Sequence, residues 1–130
     1  MRILLDTHCW LWMQAARGRL STGSQALLLD PQNELFLSSV SSWEIAIKYS
    51  IGKLPLPSPP AEYVPSRMET SGTSALPVLH AHALHVATLP LHHADPFDRL
   101  LIAQAQLEGL SILTADRKFA NYEVEILWAD

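Results

Sequence analysis

One cysteine, five glycines and no unbroken apolar stretch longer than Cys9–Met13 mark what this sequence has little of. A single cysteine, Cys9, excludes an internal disulfide and any cysteine-built zinc site. Glycine is too sparse for a phosphate-cradling loop, and no serine stands in a Gly-x-Ser-x-Gly turn. The apolar run falls far below the roughly 20 residues that cross a bilayer. Asp6 interrupts the apolar start before a signal-peptide core can form, so the expected setting is a reducing cytoplasm. Positive charge is also short. Nine Lys and Arg against thirteen Asp and Glu leave a net charge of −4, which excludes a bulk-basic nucleic-acid coat protein and leaves room only for a local basic rim.

What is present is an ordinary globular composition. The 130 residues are 48% apolar and 17% charged, without internal repeat or low-complexity tail, and predict a single domain over 1–130. A chain of this size buries roughly two-thirds of its unfolded surface and folds without disulfide or structural metal. Ile3-Leu4-Leu5, Leu35-Phe36-Leu37 and Ile112-Leu113-Thr114 are short apolar runs ending in polar residues, the pattern of strands buried on both faces. Val124–Trp128 alternates more, as a strand nearer an edge does, and Leu76–Leu79 fits a further short strand.

Helical patterns separate these runs. Trp43, Ala46, Ile47, Ser50 and Ile51 follow helical spacing up to Gly52 and predict a core-facing stripe. Thr22-Gly23-Ser24-Gln25 reads as a capping box for a short helix ending before Pro31. Asp95-Pro96 reads as an N-cap with proline at the first helical position, opening a heavily buried helix from Phe97 to Glu108 that stops at Gly109. Leu54–Pro65 holds five of the nine prolines and is expected to be a loop. Strands alternating with helices predict an α/β domain with a mainly parallel sheet, whose ligand site lies beyond the carboxyl ends of the strands.

Carboxylates fall at those ends. Asp6 directly follows the first strand, Glu44 is expected in the first turn after the second, Asp98 opens the Asp95-Pro96 helix, and Asp116 follows the strand ending at Thr114. Gathered in one pocket they repel, and a hard divalent cation relieves that repulsion. Oxygen-only ligands favour Mg²⁺ or Mn²⁺ over zinc and suit metal-assisted phosphodiester hydrolysis. Each acid also has a structural role open to it. Glu44 completes Ser41-x-x-Glu44, a capping box, and reaches Lys48 at i+4; Asp98 gains from the helix dipole; Asp116 fits a turn. Asp6, at the end of an apolar strand, is costly to bury unless it is paired.

Other residues carry less. His80, His82 and His85 do not share one helical face and read as surface or half-buried residues, while His92-His93, just before the acidic helix, reads as loop, with contact to a substrate phosphate as the alternative. Trp10, Trp12 and Trp43 read as core. Cys9 has no positional case as a nucleophile. Lys48, Lys53, Arg99, Arg117 and Lys118 flank the acids, as either a basic rim for an RNA backbone or ordinary solvated surface.

Together these motifs resemble PIN-domain proteins of the VapC toxin type: Leu5-Asp6-Thr7-His8 with Leu11-Trp12, Ser38-x-x-Ser41-x-Trp43-Glu44-Ile45-Ala46-Ile47-Lys48, His93-Ala94-Asp95-Pro96-Phe97-Asp98-Arg99-Leu100-Leu101-Ile102-Ala103-Gln104-Ala105, and Leu113-Thr114-Ala115-Asp116 with Phe119 and Tyr122. The likeness covers essentially the whole chain, least distinctly over Leu54–Leu79. It implies a three-layer α/β/α PIN-like fold and a Mg²⁺- or Mn²⁺-dependent endoribonuclease of single-stranded RNA. It also implies a homodimer and a cognate antitoxin as partner in a type II toxin–antitoxin pair. The family's acidic site falls on Asp6, Glu44, Asp98 and Asp116 as catalytic and metal-ligating residues, with Asp95 as a neighbour and Thr114 as a nearby hydroxyl. The alternative is a PIN-like module that binds RNA or protein without cutting. A phosphatase or receiver built on Asp6 is disfavoured because His8 stands where a second aspartate is needed.

Overall fold

Ile3, Leu4 and Leu5 are fully buried although neighbouring strand residues point to opposite faces, so both faces of this strand must be covered. The computed structural model, which describes residues 1–130, shows how. Strand β1 (Arg2–Leu5) lies at the centre of a five-stranded, all-parallel sheet ordered β3-β2-β1-β4-β5, with β2 spanning Glu34–Ser38, β3 Thr73–Leu76, β4 Ser111–Thr114 and β5 Ile126–Trp128. Ile3 and Leu5 join Leu35, Leu37 and Leu113 on one face, and Leu4 joins Ile112 on the other.

Helices α1 (Thr7–Ala15), α2 (Thr22–Leu29) and α4 (Pro60–Ser71) supply Trp10, Met13, Leu27, Leu28, Tyr63 and Val64 to the first layer. Helix α6 (Pro96–Glu108) supplies Leu101, Ile102, Ala103 and Ala105 to the second, flanked by the short α5 (His80–His85). Helix α3 (Ser39–Ser50) gives Ile45 to one layer and Val40 to the other. The result is the expected α/β/α sandwich, with the sheet entirely rather than mainly parallel. No helix is long and apolar enough to cross a membrane.

Several local expectations are corrected. The second half of the expected Leu54–Pro65 loop is instead the start of helix Pro60–Ser71, with Pro60 at the first helical position, where no amide hydrogen is needed. The third strand lies at Thr73–Leu76 rather than Leu76–Leu79. Ser21, not Thr22, caps α2 by accepting from the Ser24 amide. The buried residues of α3 are Val40, Ser41, Glu44 and Ile45, whereas Trp43 and Ile51, expected in the core, are 60% and 58% exposed. His82 is fully buried rather than superficial: its Nδ1 accepts from the Leu79 amide at 3.0 Å and its Nε2 lies 2.8 Å from Glu108 Oε1.

Gly109 ends α6 in the left-handed region at φ 66°, and a Cβ there would meet nothing within 4 Å. Gly109→Ala therefore carries backbone strain alone. It is expected to lower stability by about 1 kcal/mol, read as a lower urea midpoint at unchanged m-value.

Candidate functional site

The sheet order sets the place. The chain winds from β1 outward through β2 to β3, then crosses to β4 on the other side of β1. The reversal falls between the carboxyl ends of β1 and β4, the place where open parallel sheets bind their ligands.

Asp6 and Thr114 stand on either side of it. Asp6 ends β1 and caps α1, its Oδ1 accepting from the Cys9 amide at 2.8 Å and its Oδ2 from the Thr114 hydroxyl in a short hydrogen bond. Thr114 Oγ1 in turn accepts from the Asp116 amide at 3.0 Å, joining the two strand ends. Asp116 caps the short 3₁₀ turn Arg117–Asn121 by accepting from the Lys118 amide. Burial pushes the Asp6 carboxyl above its ordinary value, outweighing hydrogen bonds from Thr114 and Cys9 that favour the anion. Burial likewise pushes the neighbouring Cys9 thiol far up, so it offers no thiolate nucleophile.

Glu44 enters from α3. The true N-cap of that helix is Ser38, which accepts from the Val40 amide, so Glu44 is the sixth helical residue and not part of a first-turn capping box with Ser41. Its carboxylate is buried, with Thr7 Oγ1 2.7 Å from Oε1 and Lys48 Nζ 2.6 Å from Oε2; Ser41 Oγ lies 2.9 Å from the same Thr7 oxygen. The i+4 pair with Lys48 is thus present.

Asp98 enters from the first turn of α6, whose N-cap is Asp95, accepting from the Phe97 and Asp98 amides. Its carboxyl is pushed up to about 8, first by burial and then by the negative charges of Asp95, Asp116, Asp6 and Glu44. The α6 dipole and the His93 Nε2 contact at 3.4 Å both favour the anion, but they do not offset burial among like charges. The charges of Asp6, Glu44 and Asp116, each on a different chain segment, thus all act on Asp98.

No three histidine, cysteine or carboxylate side chains are drawn together as a ready-made metal cage. Mg²⁺ does not require one. It dehydrates reluctantly, keeps several waters and typically binds through one or two carboxylates. A carboxylate set with surplus negative charge and a raised Asp98 pKa fits such an ion by its chemistry.

Residues 3–125 match the model of the PIN domain. The chain belongs to the PIN domain family. Over 122 residues this PIN domain is 30% identical to "Ribonuclease VapC22" of Mycobacterium tuberculosis (strain ATCC 25618 / H37Rv), covering 92% of the chain and 91% of that relative. A shorter stretch of 62 residues is 53% identical to "Ribonuclease VapC16" of the same organism, covering 48% of the chain but only 44% of that relative. Among solved structures, VapBC2 from Rickettsia felis, bound to a DNA fragment from its promoter, covers the whole chain and is wholly covered, with a TM-score of 0.73 at 16% identity. This likeness carries the fold.

The five cations that flank the acids in sequence, read as a basic rim or as solvated surface, fall in different settings. Arg99 is buried, Lys48 is paired with Glu44, and Arg117 lies over the Trp128 ring and pairs with Asp130. Lys53 and Lys118 are exposed. Thr7, which donates to Glu44, and Ser41, which bonds Thr7, were marked by their places in the resemblance and not by a role at Glu44. Tyr122, which reaches the site through His93, was marked only by its place in the resemblance.

Proposed function

We propose that this PIN domain is a Mg²⁺- or Mn²⁺-dependent endonuclease of single-stranded RNA and the toxin of a type II toxin–antitoxin pair. It would act in the cytoplasm as a homodimer restrained by a cognate antitoxin. The observation that carries the reading is the Asp98 carboxyl, raised by burial and by the negative charges of Asp95, Asp116, Asp6 and Glu44. Relatives named ribonucleases, and fold neighbours crystallised as VapBC complexes, support the substrate and the partner.

Asp6 and Asp98 would hold the ion, with Glu44 and Asp116 completing the charge directly or through water. When bound, the ion supplies positive charge at the scissile phosphate and a water made acidic enough to attack it. The chain contributes positioning. Thr114 fixes one Asp6 oxygen, and Thr7 and Lys48 fix Glu44, so the acids are held before substrate arrives. No side chain is placed as a covalent nucleophile.

A synthetic single-stranded RNA, its duplex and the matching DNA, each incubated with Mg²⁺, Mn²⁺ or EDTA, test this reading. Cleavage confined to the single-stranded RNA and lost in EDTA is the expected result. Binding without cleavage in either metal would move the assignment to a non-catalytic module.

A further inference from the structure

We infer that His93 is a positioning residue for Asp98, held in one tautomer by a relay that runs from Arg99 through Tyr122. The inference rests on the nuclease reading above and extends it to residues outside the acid set.

The relay begins at a buried cation. Arg99 is 7% exposed and has no carboxylate partner; its guanidinium donates instead to the carbonyls of Pro90 (2.7 Å), Val86 (3.2 Å) and Leu89 (3.3 Å) and to the Tyr122 hydroxyl (3.2 Å). A guanidinium has no acceptor, so the Tyr122 oxygen must accept from it. Tyr122's own hydrogen is thereby free for His93 Nδ1, 2.7 Å away. A neutral imidazole that accepts at Nδ1 carries its hydrogen at Nε2. That nitrogen faces Asp98 Oδ2 at 3.4 Å, the one hydrogen bond made by this carboxylate.

Packing supports the same geometry. Tyr122 is buried, and its ring meets His93 at 5.5 Å and His92 at 5.0 Å, both edge-on, while Phe119 lies 6.4 Å from His93. The imidazole is thus confined by rings and polarised from one end. A donor fixed on Oδ2 restricts rotation of the Asp98 carboxyl and leaves its other oxygen for a ligand. Histidine–carboxylate partners of this kind commonly govern metal affinity by about 10- to 100-fold.

The test is made on the intact chain with Mn²⁺ as probe. Tyr122→Phe removes the hydroxyl and keeps the ring, and Arg99 retains its carbonyl partners. Imidazole ¹⁵N spectra of the metal-free protein should show His93 of the wild type as the Nε2–H tautomer and that of Tyr122→Phe as a mixture. Calorimetric Mn²⁺ affinity should fall about tenfold in Tyr122→Phe and His93→Ala. It should recover in part in His93→Gln, which returns a donor near the same place. A wild-type Nδ1–H tautomer, or Tyr122→Phe with unchanged spectra and Mn²⁺ affinity, overturns the relay while leaving the nuclease reading intact. A wild-type protein with the Nε2–H tautomer that neither binds Mn²⁺ nor cuts RNA overturns the nuclease reading, and with it the role assigned here to His93.

Discussion

Replacing Asp98 with Asn is expected to reduce RNA cleavage by at least about a thousandfold while raising the stability of the metal-free protein at neutral pH. The loss of activity corresponds to roughly 4 kcal/mol of charge stabilisation in the transition state, within what a bound divalent ion supplies. The gain in stability follows from the raised Asp98 pKa. Its carboxyl titrates at about 8 in the fold against 3.8 for the ordinary group, so between those values the folded state binds more protons than the unfolded one. Stability contributed by this group is therefore present below pH 3.8 and falls as pH rises towards 8. Asn removes the ionisation and its penalty, of the order of 1–3 kcal/mol. Melting curves in EDTA should show the variant and wild type nearly together at pH 4. At pH 8 the variant should melt several degrees higher.

The second large effect separates two tryptophans. Trp10 is fully buried, meets Tyr63 edge-on with ring centroids 6.4 Å apart, and donates its indole N–H to Thr73 Oγ1 at 3.2 Å. It packs one turn after Asp6 at the centre of the first hydrophobic layer. Trp10→Ala opens a cavity and removes the indole donor to Thr73, which keeps its Ser71 hydroxyl partner, for an expected loss of about 3–5 kcal/mol. That is a large share of a typical domain's stability. Trp43→Ala removes a side chain that is 60% exposed and meets Phe97 edge-on, and is expected to cost no more than about 1 kcal/mol. Urea denaturation of both variants measures the contrast directly.

That contrast shows where sequence patterning succeeds and where it does not. The runs at Ile3, Leu35 and Ile112 were legible because strands buried on both faces need unbroken apolar residues, and polar residues mark where they end. The places of Asp6 and Asp116 just past strand ends and of Asp98 in the first turn of α6 were legible from the same punctuation. On α3 the same reasoning selected the wrong face. The buried side carries Ser41 and Glu44, whose burial is supported by Thr7 and Lys48 from outside the apolar pattern. The buried face of α3 is thus set partly by a carboxylate with its own polar partners, which an apolar stripe does not display. Helix α1 was missed for a related reason: Asp6 closes a strand and caps a helix with the same side chain, leaving no intervening turn for the sequence to display. The Pro60 start of α4 was hidden by the density of prolines before it. Contacts such as Tyr122 with His93, separated by 29 positions, have no periodicity and emerge only from the folded chain.

The central claim is that the converging carboxylates make this chain a metal-dependent ribonuclease. The most direct test is to incubate purified, partner-free protein with total cellular RNA in Mg²⁺, Mn²⁺ or EDTA, beside Asp98→Asn, and map new 5′ ends by sequencing. The account predicts discrete ends that require metal and vanish in the variant. Ends that persist in EDTA or in Asp98→Asn, or no ends from a folded wild-type protein supplied with metal, would contradict it.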